Sequence, residues 1–318
     1  MLVTHLFKAF LFACGLYAMP AIANTTSPEQ QADKTIRQLY HSPGMKPTAN
    51  LSTRIAAISQ AFLGAPYALG ALGEGPYARY DQNPLYRTDA FDCETYVDTV
   101  IALARAHDII QFQQNIRHIR YKEGHVSFID RNHFTCLDWN QNNQHQGYVK
   151  DITTTLRDAD DHPVASMAHA LIDKPSWYQH FPLSIIRIPQ ATPKEVARRL
   201  AELKQKGQQL PQTISAIPYI PLTALFDHAG HANKPLFNQI PNAAIIELIR
   251  PNWDMEKQIG THLNVSHLGF AIWEKGILMF RHATSTQDHV VEVPLIDYLR
   301  ETQKSPTIKG INIQVVTP

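Results

Sequence analysis

Cys93, His267 and His282 are the residues whose types and positions could do chemistry together. Cys93 stands in Phe91-Asp92-Cys93-Glu94-Thr95-Tyr96-Val97, a stretch that reads as a sharp turn opening a helix. Asp92 suits the N-cap, because its carboxylate can accept from the free N–H groups of the first turn. Cys93, Val97, Val100, Ile101 and Ala104 then fall on one apolar helix face. The cysteine therefore looks inward at the end where unpaired N–H groups and the helix dipole favour an anion. That placement is expected to lower the thiol pKa and give a nucleophilic thiolate. Free cysteine is also a common small core residue, so this stretch alone leaves both readings open.

A cysteine nucleophile needs a base, and the base needs a group to orient it. The segment VSHLGFAIWEKGILMFRHATS reads as a hairpin turning at Glu274-Lys275-Gly276. With 274–275 as the loop, His267 faces His282 across the strands; with 275–276, the two are diagonal on one face. Either register brings the imidazoles within reach of each other. A three-residue loop without a bulge would put them on opposite faces.

The elements that must position these groups follow from capping signals and periodicity. Ser27-Pro28-Glu29-Gln30 is a capping box opening a helix to about Tyr40. A second helix is expected from Thr53 to Leu63, ended by Gly64 and Pro66. Residues 67–89, rich in Gly, Pro and Tyr, read as a long ordered loop. The Cys93 helix runs to about His107. Short strands and irregular segments are expected over 109–150, a short helix over 163–173 and a strand over 183–188. Thr192-Pro193-Lys194-Glu195 opens a helix to Gly207, and 210–242 reads as loop. Strands follow at 243–249, 265–273, 277–283, 290–293 and 311–316, interrupted by a short helix at 295–300. Helices first and an antiparallel sheet later give an α+β class.

The chain has 318 residues, 44% of them hydrophobic, and a formal charge of +1. A real core is expected, and no polyanion or nucleic-acid partner is implied. Residues 1–23 read as a secretory signal peptide: Lys8 precedes the apolar run 9–19, and Ala21-Ile22-Ala23 supplies a cleavage site. The run is too short for a membrane span, so stable membrane insertion is not expected. An exported, periplasmic protein with a single domain over 24–318 is the expectation. Export would leave Cys93 and Cys136, an even number that invites a disulfide in an oxidising compartment. Sixteen histidines raise the question of zinc. His228-Ala-Gly-His231 is a two-ligand fragment, no HExxH motif is present, and nothing sets a geometry for His262, His267 and His282.

A helix-cap Cys, a strand His followed by Leu-Gly, and a second His in the next strand resemble the NlpC-type papain-like cysteine hydrolases. Tyr67-Ala68-Leu69-Gly70 resembles the tyrosine–glycine motif that precedes the cysteine there. The chain is similar, more closely, to the N-acetylmuramoyl-L-alanine amidase-like family of that superfamily. The matching stretches include PYALGALGEG (66–75), FDCETYVDTVIALA (91–104), IRYKEG (119–124), RNHF (131–134), IPYI (217–220), GTHLNVSHLGFAI (260–272) and RHATS (281–285). The resemblance implies a papain-like NlpC-type core with Cys93 as nucleophile, His267 as base and His282 as the orienting third residue. It further implies an oxyanion site at the Cys93 N–H with the Tyr67 hydroxyl nearby. Arg131, His133 and Trp139 fall in the family's substrate-binding segment. Arg131 and Arg120 could pair with a stem-peptide carboxylate. Two departures stand out: the stretch from Tyr67 to Cys93 is long, and Asp98 replaces the family's usual glutamate. The implied substrate is a peptidoglycan-derived muropeptide, including 1,6-anhydro forms, cut between N-acetylmuramic acid and L-alanine without a cofactor. A stem-peptide endopeptidase and a non-catalytic wall-binding module remain as alternatives.

Overall fold

The computed structural model describes residues 27–42 and 49–318. The expected signal peptide over 1–23 lies outside the described residues. The helices are α1 (Pro28–Tyr40), α2 (Leu51–Ala61), α3 (Cys93–Ala104), α4 (Ile109–Arg120), α5 (Asn140–His145), α6 (Lys174–Gln179), α7 (Pro193–Gly207) and α11 (Leu295–Thr302). Between the last two lie the single turns α8 (Leu222–Leu225), α9 (Lys234–Phe237) and α10 (Glu256–Ile259). No helix among the described residues is long and apolar enough to cross a membrane.

The strands β1 (Val149–Asp151), β2 (Ser166–Asp173), β3 (Gln212–Pro221), β4 (Ala244–Asp254), β5 (His262–Glu274), β6 (Ile277–Thr284), β7 (His289–Pro294) and β8 (Gly310–Val316) form one antiparallel sheet. Its order is β2-β3-β8-β4-β5-β6-β7, with β1 added on β8. The class is α+β with an antiparallel sheet, as composition and periodicity suggest. Residues 244–249 of β4 are buried throughout, because both faces of the sheet centre are covered. Ile245, Leu268, Phe270 and Ile272 pack with Val97, Val100 and Ile101 of α3. Ile246, Leu248, Ala271 and Phe280 pack on the other face with Leu295 and Leu299 of α11. Burial on this scale, ~2 kcal/mol per large apolar side chain, anchors α3 to the middle of the sheet.

Four local expectations are overturned. Residues 109–150 are mostly helical where short strands are expected, with irregular backbone at 125–134 and β1 starting only at Val149: Asp108 caps α4, and Phe112, Ile116 and Ile119 form its buried face. The segment 163–173 contains strand β2, not a helix, because Ala168, Ala170 and Ile172 alternate inward against β3. Residues 183–185 make a 3₁₀ turn where a strand is expected. The supposed loop 210–242 contains the ten-residue strand β3, which includes the IPYI stretch. Pro218 has no N–H to give the ladder, and its carbonyl accepts from the Asn312 side chain at 2.9 Å.

Candidate active site

The N-terminus of α3 is fixed from two sides. The Asp92 carboxylate accepts from the Thr95 N–H at 2.9 Å, and the Thr95 hydroxyl accepts from the Asp92 N–H at 3.0 Å, a reciprocal cap. The other Asp92 oxygen accepts from the Gly70 N–H at 3.0 Å. Ala68 N–H donates to Phe91 O at 2.9 Å, and Phe91 N–H to Pro66 O at 2.9 Å. The tyrosine–glycine motif is thereby laced to the residues just before Cys93. The long stretch after it is an excursion that returns, with Gly73 N–H bonded to Pro84 O and Glu74 N–H to Asp81 O. Tyr67 ends near the cysteine: burial, then Cys93 and Asp92, push its hydroxyl up to about 12.

Cys93 is half-buried and free, and so is the buried Cys136; the disulfide between them does not form. The sulfur meets strand β5 at the Leu268 N–H, which is directed at it. That N–H is available because the registered pairing of β5 with β6 ends at Phe270↔Arg281. The expected low thiol pKa is reversed. Burial, then the Asp92 and Glu94 carboxylates, push the Cys93 thiol well above its ordinary value, and the Leu268 and Glu94 N–H groups offset only part of this. A helix end carries only ~0.5 of an elementary charge, less than two adjacent carboxylates and desolvation bring against it. The resting group is therefore a neutral thiol.

The hairpin adopts the second of the two expected registers. Glu274 pairs with Ile277, leaving Lys275 and Gly276 as the loop, both at positive φ. His267 and His282 are diagonal on one face, with His267 Nε2 and His282 Nδ1 2.6 Å apart. Gly269 makes this possible, since a Cβ there would lie 2.7 Å from the His282 Cβ. Burial pulls His267 down to about 4. Burial, then His267, pull His282 down to about 3. At neutral pH both rings are uncharged, and one N–H joins them. If His267 donates through Nε2, its Nδ1 carries a lone pair, the state a general base requires. The His267 and His282 rings also meet Tyr298, with centroids 6.5 and 5.1 Å away. The close mutual engagement of these two nitrogens does not match three histidines converging on a zinc ion, and His262 Nδ1 instead lies 3.6 Å from Glu256.

The other expected site residues go elsewhere. Arg120 is 5% exposed and donates to Leu85 O at 2.7 Å, with Asp98 4.0 Å away. Trp139 is fully buried and donates from Nε1 to Asp98 at 2.7 Å. Arg131 binds Glu74 and Asp81, clamping the 71–89 excursion. His133 Nε2 bonds Phe128 O at 2.7 Å, and its ring packs on Trp177. These four form an internal framework, in which no guanidinium is left for a stem-peptide carboxylate in this state.

Sequence reasoning missed Tyr298, Glu94 and Thr135, and read Asp98 only as a replacement for the family's usual glutamate. Burial, then Cys93, push the Tyr298 hydroxyl up to about 12, and its ring meets both imidazoles. Its signal was the Leu295–Leu299 face of α11, which turns Tyr298 toward Phe280. Glu94 accepts from the Thr135 hydroxyl at 2.9 Å. Burial, then Asp98 and Asp92, push its carboxyl well up. Asp98, one helical turn on, is raised to about 7 by burial despite Arg120 and Trp139. The i, i+4 spacing of Glu94 and Asp98 beside Cys93 was the readable sign. Thr135 opens a π-helical turn, 135–139, that aims Thr135 at Glu94 and Trp139 at Asp98.

Comparison with solved structures gives a relative in a Legionella pneumophila protein, 53% identical, with a TM-score of 0.88 over 92% of this chain and 96% of that one. An N-acetylmuramoyl-L-alanine amidase from Bacteroides uniformis is 21% identical, with a TM-score of 0.59 over 84% of this chain and 99% of that one. A Bacteroides fragilis protein named provisionally as a xylanase is 23% identical, with a TM-score of 0.54 over 81% of this chain and 99% of that one. These two distant likenesses bear on the fold, which does not fix an activity. No curated protein matches the chain. Residues 57–308 match the family described as AmiA-like, N-acetylmuramoyl-L-alanine amidase-like, and the chain belongs to that family.

Proposed function

We propose that the protein is an exported, periplasmic cysteine amidase with a papain-like, NlpC-type core. On this reading it hydrolyses the amide between N-acetylmuramic acid and L-alanine in soluble peptidoglycan fragments, including 1,6-anhydro muropeptides. The observation that carries this reading is the His267–His282 contact at 2.6 Å on the strand whose next residue, Leu268, directs its N–H at the Cys93 sulfur. Membership of the AmiA-like family supports the bond chosen. The signal-like sequence of residues 1–23 supports export.

The mechanism starts from a neutral pair. His267 Nδ1 takes the thiol proton as Cys93 Sγ attacks the amide carbonyl, so thiolate forms only as it is used. The resulting imidazolium donates from Nε2 to His282 Nδ1, which holds the ring in place. The carbonyl oxygen becomes an oxyanion. The Cys93 N–H, a first-turn donor without an intrahelical acceptor, faces it with the Tyr67 hydroxyl close by. Collapse breaks the C–N bond, and His267 returns its proton to the leaving L-alanine nitrogen. Water, activated by the neutral His267, then hydrolyses the thioester and releases the muramic carboxylate. No cofactor enters these steps.

The test is mass spectrometry of products from defined muropeptides. Free peptide beginning with L-alanine is expected. L-Ala-D-Glu still attached to the sugar would replace this reading with an endopeptidase cutting within the stem. Saturable binding of muropeptides with no product, unchanged in Cys93→Ala, would replace it with a wall-binding module.

A further inference from the structure

A groove of about 1040 Å³ lies between residues 77–80, residues 126–130 and the C-terminal half of α7. Cys93, His267, His282, Tyr67 and Tyr298 do not line it. Tyr77 stands on its rim, 97% exposed. Tyr80 and Phe128 lie buried in its wall, in edge contact with centroids 6.2 Å apart.

One group in the wall is incomplete. The Glu74 side chain is 4% exposed. Its Oε1 takes the Arg131 guanidinium, while its Oε2 is buried with no hydrogen-bond partner. An unmet buried carboxylate oxygen is costly, and a donor supplied by a ligand would relieve it. Asp130 and Glu202 add further acceptors to the lining. Two cations, Arg79 and Lys206, line it beside the three carboxylates; Arg79 is held by Glu202, which also accepts from the Tyr80 hydroxyl at 2.6 Å and feels the Lys206 charge. Aromatic faces beside carboxylate acceptors suit a molecule with apolar C–H faces and a rim of hydroxyl donors. They suit an anion poorly.

We propose that this groove is a second binding site, separate from Cys93, for a neutral oligosaccharide that stacks on Tyr77 and donates a hydroxyl to Glu74 Oε2. The inference does not use the amidase reading, and binding and turnover are measured separately.

The experiment is calorimetric titration of the full protein with chitotetraose, a neutral N-acetylglucosamine tetramer, and with tetraglutamate as an anionic probe. Saturable chitotetraose binding is expected, with no tetraglutamate binding. Tyr77→Ala should weaken the sugar about tenfold, and Tyr77→Phe should retain it. Tyr77 is exposed, so its variants test the site without risk to the fold. Glu74→Gln should weaken binding with Cys93 alkylation unchanged. Prior alkylation of Cys93 should leave the sugar affinity as it was. The proposal is overturned if chitotetraose gives no saturable binding, or if Tyr77→Ala binds as tightly as the native protein. It is equally overturned if alkylation of Cys93 abolishes binding, or if tetraglutamate binds in the sugar's place.

Discussion

Two buried polar regions meet on α3, and they follow opposite rules. Around Asp98, carboxylates meet cations and donors: Trp139 Nε1–H meets one carboxylate oxygen, Arg120 approaches the other, and Arg131 binds Asp81 and one oxygen of Glu74. One turn earlier, Cys93 and His267, half-buried, and His282, buried, stand without counter-charge, and each is driven toward its neutral form. Matched charges fasten the chain; unmatched titratable groups are poised to exchange protons. The comparison divides residues of similar type into framework and reagent, and each half makes its own prediction.

The largest effect belongs to the reagent half. Cys93→Ala and His267→Ala should each lower muropeptide turnover by ~10³-fold or more, with cooperative unfolding retained. His282→Ala should lose less, ~10²-fold, because it orients the base and does not touch the scissile bond. Turnover near the native rate in His267→Ala would erase the distinction. The framework half should respond in stability instead. Trp139→Ala removes a fully buried indole and should cost about 3–5 kcal/mol in denaturant unfolding. Arg131→Met leaves Glu74 and Asp81 without their shared cation and should cost about as much. The protein that remains folded should still alkylate at Cys93 at the native rate. A change in alkylation without a change in stability would place Arg131 in the site.

A third test uses pH. His267 has a folded pKa of about 4 against 6.5 for an ordinary histidine. Its neutral form is the one the fold prefers, so its contribution is complete above pH 6.5 and is lost as pH falls toward 4. On the order of 3 kcal/mol should disappear over that window through His267, and replacing it with Gln should make the slope shallower while leaving the part that His282 contributes. Turnover should share the acid limb, since only the neutral ring can take the thiol proton. Native stability that is level between pH 6.5 and 4 would contradict the buried neutral pair.

The legible part of this molecule was the part with strict periodicity. Alternation places His267 and His282 on one face whichever two-residue loop closes the hairpin, and Asp92 announces the start of α3. The segment 109–150 defeated the reading because its signal is mixed. Arg117, His118 and Arg120 obscure the Phe112–Ile116–Ile119 stripe, and the π turn at 135–139 shifts the phase of the following helix. Arg120 and Trp139 look like surface recognition residues by type, yet their partners, Leu85 O and Asp98, come from sequence-distant segments that no local pattern reveals. The thiol's direction failed for a related reason. The helix cap is visible in sequence, but the desolvation that outweighs it depends on the sheet packed against α3.

The smallest expected effect is also the most specific to this arrangement, and it concerns Glu94. Its carboxylate is among the groups that push the Cys93 thiol up, but its own carboxyl is held well above the ordinary range by burial, Asp98 and Asp92. On the acid side of its own titration Glu94 is neutral and leaves the thiol alone. As pH rises it ionises and opposes formation of the neighbouring thiolate. The iodoacetamide rate of the native protein should therefore climb less steeply with pH than a single titrating thiol allows. Glu94→Gln keeps an acceptor for the Thr135 hydroxyl and removes the charge. Its alkylation profile should match the native one at low pH, then run ahead by up to about tenfold, the equivalent of about one pKa unit in the thiol. Superimposed profiles across the whole range would show that Glu94 does not reach Cys93 electrostatically. A Glu94→Gln profile displaced by a constant factor, low pH included, would show that Glu94 is already ionised there, and the neutral-carboxyl assignment would fall with it.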